Sequence, residues 1–148
     1  MMSLPRFFQR LWFALVIGIL LTGCEQIANP YSAEAYKQAT SLKAKSLALI
    51  KNGTQPYSAN ASKAETLLVE ISAAHEFARG RGRKNSDEAA DQWAIILDPE
   101  GNSVGEFVAL WREKGKLNPF FVNEFSSIVS LQFDRIIELE TGRKITAE

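Results

Sequence analysis

The chain has 148 residues, with 17 basic side chains, 17 acidic ones, one histidine and one cysteine. A formal net charge of zero leaves no concentrated basic face for a phosphate backbone, which argues against nucleic acid as a partner. A single cysteine excludes an intrachain disulfide, and one histidine falls short of the three or four ligands that zinc takes, so no metal is expected.

At the start of the chain, Arg6 and Arg10 precede the uncharged apolar run Leu11 to Leu21. That run is about half of the ~20 residues a helix needs to cross a bilayer. A basic start, a short apolar centre and small residues before a cut mark a secretory signal. The run ends in Leu21-Thr22-Gly23-Cys24, which holds the only cysteine. An uncleaved N-terminal anchor helix is the alternative; the shortness of the segment and the position of Gly23-Cys24 speak against it. These four residues resemble the lipobox of bacterial lipoproteins, and the resemblance covers residues 1 to 25. It implies cleavage before Cys24, a diacylglyceryl group on the Cys24 thiol and an acyl chain on its freed amine. Two or more chains anchor a protein stably where one holds it only marginally. In that family an aspartate after the cysteine favours the inner membrane. Glu25 stands here, so the resemblance implies the periplasmic face of the outer membrane. No cofactor is expected beyond this covalent lipid.

Removing the signal, residues 1–23, leaves 125 residues with 15 basic and 17 acidic side chains, enough for one domain with a real core. With Cys24 acylated no thiol remains, so the domain depends on packing. Residues 24–31 form a lipidated tether in which Pro30 sets a break. The seven residues after the cysteine (EQIANPY) reach at most ~25 Å, which would hold the domain, residues 32–148, close to the membrane.

The rest reads as helix after helix. The first covers residues 32–51, with Ala35, Ala39, Leu42, Ser46 and Leu49 on one face and Ile50 beside them. Asn52-Gly53 offers a left-handed stop. A second helix carries Leu67, Leu68, Ile71, Ala74, Phe77 and Ala78; Ser62 with Glu65 suggests a capping box, Ser58 or Asn60 an earlier start, and Gly80 an end. A third opens near Ser86 with Asp87 and Glu88 in its dipole-favoured first turn, carries Ala89, Trp93, Ile96 and Leu97, and stops before Pro99. Ser103 with Glu106 caps a fourth, where Val104, Phe107, Val108 and Trp111 keep i, i+3, i+4, i+7 spacing and Gly115 closes. Asn118-Pro119 starts the last and longest, residues 119–140, with Phe121, Val122, Phe125, Ile128, Val129, Phe133, Ile136 and Ile137 on its apolar face and Gly142 at its end. No segment alternates with period two. The expectation is an all-α bundle of four to five helices.

Catalytic constellations are scarce. His75-Glu76 resembles the start of a zinc-protease motif, but Arg79 stands where the second histidine belongs. Glu65, Glu70, Glu76, Asp134, Glu138 and Glu140 would have to converge in pairs to serve glycoside hydrolysis, and nothing in their spacing brings them together. Asp98 to Asn102 lacks the alternating ligands of a calcium loop and reads as a turn.

Two local features point to binding. Arg79, Arg81, Arg83 and Lys84 place four positive charges on a glycine-loosened stretch, suited to anionic lipid or an acidic partner. The same residues also suit a solvated loop whose arginines favour the end of a helix. Phe120 and Phe121 point about 100° apart on their helix, so one of them, Phe120, is a candidate exposed aromatic.

The expectation is a lipid-anchored periplasmic domain that acts by binding, as a scaffold or accessory subunit holding an envelope protein at the membrane. An inhibitor or immunity-type lipoprotein is the alternative, and a cell-wall enzyme a more distant one. Cys24→Ser is expected to abolish acylation and membrane retention, measured by fractionation. Full retention of that variant would overturn the lipid anchor.

Overall fold

A computed structural model describes residues 32–81 and 88–141. Five α-helices and one 3-10 turn make up these residues, and no strand occurs among them. The chain has an all-α fold.

Helix α1 (Ala33–Ile50) starts where Ser32 sits in extended conformation and its hydroxyl accepts the Ala35 N–H at 3.2 Å, satisfying one orphan donor. Its buried side chains are Ala35, Ala39, Leu42, Ser46, Leu49 and Ile50, the stripe expected from the spacing. Gly53 does not act as the expected left-handed stop. The chain leaves α1 through tight turns in which the Asn52, Gly53 and Gln55 N–H groups each donate three residues back. Among the described residues only Asn102 and Gly115 have positive φ. Gly53 is needed for space, because a Cβ there would lie 3.0 Å from both the Phe107 ring and a Val122 methyl.

After a 3-10 turn (Tyr57–Ala59), helix α2 (Ala61–Arg81) begins behind Asn60, one of the two starts before Ser62 that the sequence allows. Ser62 therefore lies inside the helix, and Glu65 bonds Tyr57 and Arg112 instead of closing a capping box. Gly80 does not end the helix either. It is exposed within the last turn, and Arg81 follows it as a helical residue.

Helix α3 (Glu88–Leu97) buries Ala89, Ala90, Trp93 and Ile96; its expected start at Ser86 lies outside the described residues. The turn after it is built on Asp98, whose carboxylate accepts the Glu100 N–H at 2.9 Å. Helix α4 (Val104–Lys114) is capped by Ser103, whose hydroxyl accepts the Glu106 N–H and donates to the Asp98 carbonyl. Glu106 reaches back one residue further than a standard capping box, to the Asn102 N–H. Gly115, at φ 74°, ends α4 in a conformation that suits glycine. In helix α5 (Pro119–Thr141) the Asn118 side chain accepts the Phe121 N–H at 3.0 Å.

Helix α1 packs most extensively on α5 and also on α2; α2 packs on α3, and α3 on α5. The four helices close a ring. Lys43 pairs with Asp134 midway along α1, and Gly53 meets Val122 at its end, so α1 and α5 run antiparallel. Helix α4 fills the end where α1 and α3 finish and α2 and α5 begin. There Phe107 stacks on Phe125 and Trp111, and Trp111 on Tyr57, with centroids 5.4 to 5.6 Å apart. Trp111, Phe107 and Phe133 have no exposed surface. Burying each side chain of this kind contributes about 1.5–3 kcal/mol. The expected apolar face of α5 holds with two exceptions: Phe121 is exposed and Ile128 half-buried. Phe121 lies about 100° round the helix from Val122, which makes the inward contact with Gly53.

The corner between α3 and α4 is the tightest point. A Cβ on Gly105 would lie 2.2 Å from the Leu97 carbonyl oxygen and 2.8 Å from that of Asp98, both backbone atoms. Gly105→Ala is expected to lower stability by about 2–3 kcal/mol, read by urea denaturation. A change near zero would mean that the corner is slack.

Candidate binding surfaces

Three features of the described surface have the character of sites. The first is the end of the bundle near α4. The segment 53–57 after α1 is tied to α4 and to the connection that follows it by three hydrogen bonds. Leu117 N–H donates to the Gly53 carbonyl at 2.8 Å, Tyr57 N–H to that of Gly115 at 2.7 Å, and Trp111 Nε1–H to that of Gln55 at 2.9 Å. On this base the first turn of α5 projects Phe120, 66% exposed, and Phe121, 40% exposed, edge to face at 6.0 Å. The sequence suggested one exposed ring; the structure has two. Both stand at the end opposite Ser32, separated from it by the length of α1, about 27 Å.

The second is the opposite end, where the C-termini of α2 and α5 meet. Arg81 Nη2 bridges both oxygens of Glu140 at 2.6 and 2.5 Å, and Glu140 is buried. The Arg81 guanidinium also lies over the Phe77 ring, 5.2 Å from its centroid. The charge of Arg81 is thus turned inward. Arg79 is exposed and pairs with Glu76 at 2.9 Å; Arg83 and Lys84, like Cys24, lie outside the described residues.

The third is a groove between α1 and α2 that sequence reasoning did not find. One cavity of about 420 Å³ has Leu49 and Leu67 in its floor; a second of about 280 Å³ has Leu42 and Ala74. Both are bounded by Lys45 and Glu70, whose ion pair (2.8 Å to each carboxylate oxygen) spans the groove between them. Small residues make this space: Ser41 and Ala48 on α1, Thr66 and Ala73 on α2. The available signal was the lack of any large side chain at these positions on the facing flanks of both helices.

The six carboxylates weighed for catalysis do not pair with each other. Glu65 meets Arg112, Glu70 meets Lys45, Glu76 meets Arg79, Asp134 meets Lys43, Glu138 meets Arg135 and Glu140 meets Arg81. The hydrogen bond from the Tyr57 hydroxyl, then that from Arg112, holds the Glu65 carboxyl below its ordinary value. Hydrogen bonding to Tyr57 and Glu65 in turn holds Arg112 above its own. A depressed carboxyl favours the fold above its unfolded pKa, and that contribution fades as pH falls below about 4.5 and through the folded value. The cluster is exposed, so it is a surface clasp between α2 and α4. His75 is half-buried on α2, and no group of three or more potential metal ligands occurs among the described residues. No described helix is long and apolar enough to cross a membrane.

The chain matches no protein-family model, no curated protein and no solved structure.

Arg81→Ala would leave Glu140 buried without its cation. It is expected to cost about 3 kcal/mol of stability, read by thermal or urea unfolding. The exposed Arg79→Ala should change stability by no more than a few tenths of a kcal/mol. Equal effects from the two would show that the Glu140 pair is not special.

Proposed function

We propose that this protein is a lipid-anchored adaptor of the bacterial cell envelope, held by acylated Cys24 and acting through protein binding. One observation carries the reading: Ser32, where the chain enters the bundle, and the exposed Phe120–Phe121 pair stand at opposite ends of α1, about 27 Å apart. A short tether would hold the Ser32 end against the bilayer and present the aromatic pair away from it. Large aromatic side chains on a rigid base are the groups that dominate protein interfaces, because little conformational freedom is lost when they dock. The three hydrogen bonds beneath them supply that base. The individually ion-paired carboxylates favour binding over hydrolysis, since a general acid and its partner carboxylate must share one cleft.

A photocrosslinking residue in place of Phe120 tests this in intact cells. The expected result is one dominant envelope protein captured by the full chain, lost when Cys24→Ser frees it from the membrane. Capture of cell-wall fragments alone, or of nothing, would overturn the adaptor reading.

A further inference from the structure

We infer that the outer face of α3 and α5 receives a basic amphipathic helix of the partner protein, which docks apolar residues there with lysines or arginines beside them. This rests on the adaptor reading: it extends the contact that begins at Phe120 and gives the partner a chemistry.

Six large apolar side chains are exposed among the described residues, and four of them are Ile95, Phe120, Phe121 and Leu131. Leu131 is as exposed as Phe120, at 66%. Phe120, Glu124, Ser127 and Leu131 keep i, i+4, i+7, i+11 spacing and form one outer stripe of α5 about 17 Å long. Phe121 and the half-buried Ile128, seven residues apart, flank that stripe on one side. Helix α3 adds Ile95 to the same side. Glu88 pairs with Arg135 at 3.6 Å and Trp93 stacks on Phe133, so α3 and α5 run antiparallel. Ile95 follows Glu88 by two turns and Ile128 precedes Arg135 by two turns, a register that brings Ile95 and Ile128 to one level. An apolar patch of this kind, with no cover in the chain itself, marks an interaction site.

The charge around the patch selects the occupant. Residues 88–111 contain five acids and no lysine or arginine. Glu124 stands within the α5 stripe and Asp91 one turn before Ile95, and neither makes an ion pair among the described residues. Glu106 accepts the N–H of Asn102, whose carbonyl accepts from Gln132 of α5 at 3.4 Å, so a third carboxylate reaches this flank with only a neutral donor on it. Two cations approach the face. Arg135 is shared between Glu88 at 3.6 Å and Glu138 at 3.5 Å, and Lys116 stands four residues before Phe120. Five carboxylates against two cations leave the face negative. Anionic lipid is repelled from it, as is a second copy presenting the same face, whereas a partner bearing cations is drawn to it.

Backbone chemistry selects a helix. The main-chain groups of α3 and α5 are bonded internally, so an extended segment would find no ladder partner on them. A helix brings its own hydrogen bonds and sets its ridges against the three-turn stripe of α5. About twelve residues span Phe120 to Leu131.

The test is a photocrosslinking residue in place of Leu131, in the full chain in intact cells, with the adduct mapped by mass spectrometry. The expected adduct lies on the protein captured at Phe120, in a segment with helical apolar spacing and at least one lysine or arginine. Glu124→Lys and Asp91→Lys should each lower its yield about two- to fivefold. Changing the mapped basic residue to glutamate should restore the yield with Glu124→Lys, a rescue that a misfolded variant would not show. An adduct to a second copy of this chain, to lipid or to a segment without basic residues would overturn the inference, as would a yield insensitive to both reversals or not restored by the reciprocal change. Capture at Phe120 with none at Leu131 would sink the α3–α5 face and leave the adaptor standing; capture at neither would sink both.

Discussion

Three hydrogen bonds at the α4 end fix the arrangement of everything around them. Gly53 and Leu117, Tyr57 and Gly115, and Gln55 and Trp111 are each separated by more than fifty residues, yet their backbones or side chains meet at 2.7 to 2.9 Å. Once the connection after α1 is tied to the connection before α5, those two helices must lie side by side in opposite directions. The tie also sets the height of the first turn of α5, and with it the position of Phe120. The space it needs is narrow. A methyl group on Gly53 would crowd the Phe107 and Val122 side chains, and Gly105 has no room for one beside the Leu97 carbonyl. Backbone proximity at two glycines and an indole bound to a carbonyl determine the architecture as much as apolar burial does.

The apolar stripes were readable because each helix has one wet face and one dry one. For α1 and α4 every expected inward position is buried, and both cap residues, Ser32 and Ser103, act as their side-chain chemistry predicts. What the sequence concealed was long-range. Gly53 follows a helix and therefore suggests a left-handed cap, whereas its actual constraint is the Phe107 ring, which comes 54 residues later. Glu65 has the right spacing for a capping box with Ser62, but Tyr57 and Arg112 compete for its carboxylate and win. Gly80 suggests a helix end, while a distant ion pair, Arg81 with Glu140, holds the last turn in place. The groove was hidden for the same reason: it consists of the absence of bulk on two helices, which becomes a shape only when they are placed side by side.

Buried polarity is handled unevenly. Ser103 is fully buried and its hydroxyl both donates and accepts, so it joins α3 to α4 without residual cost. Glu140 is buried with its charge matched by Arg81, and the remaining Nε of that guanidinium is buried without a partner. The Ser46 hydroxyl is likewise buried and unpartnered on the inner face of α1. An unmade hydrogen bond of this type costs about 1–3 kcal/mol. Among the described residues three buried polar atoms lack a partner, Ser46 Oγ and Gln132 Oε1 within helices and Arg81 Nε at a helix end.

The pairing of α1 with α5 also dictates an order of assembly. Lys43 and Asp134 are 91 positions apart, and the first helix finds its most extensive partner in the last. A chain leaving the ribosome or a translocation pore from its N-terminus emerges with the first helix lacking its main partner until the Asp134 region, 91 residues after Lys43, has followed. Loop closure over that span precedes any reward from packing, so this fold carries a higher contact order than a bundle whose helices pair only with their neighbours. Its nascent form is correspondingly open to the chaperones that escort chains whose apolar surface waits for its complement.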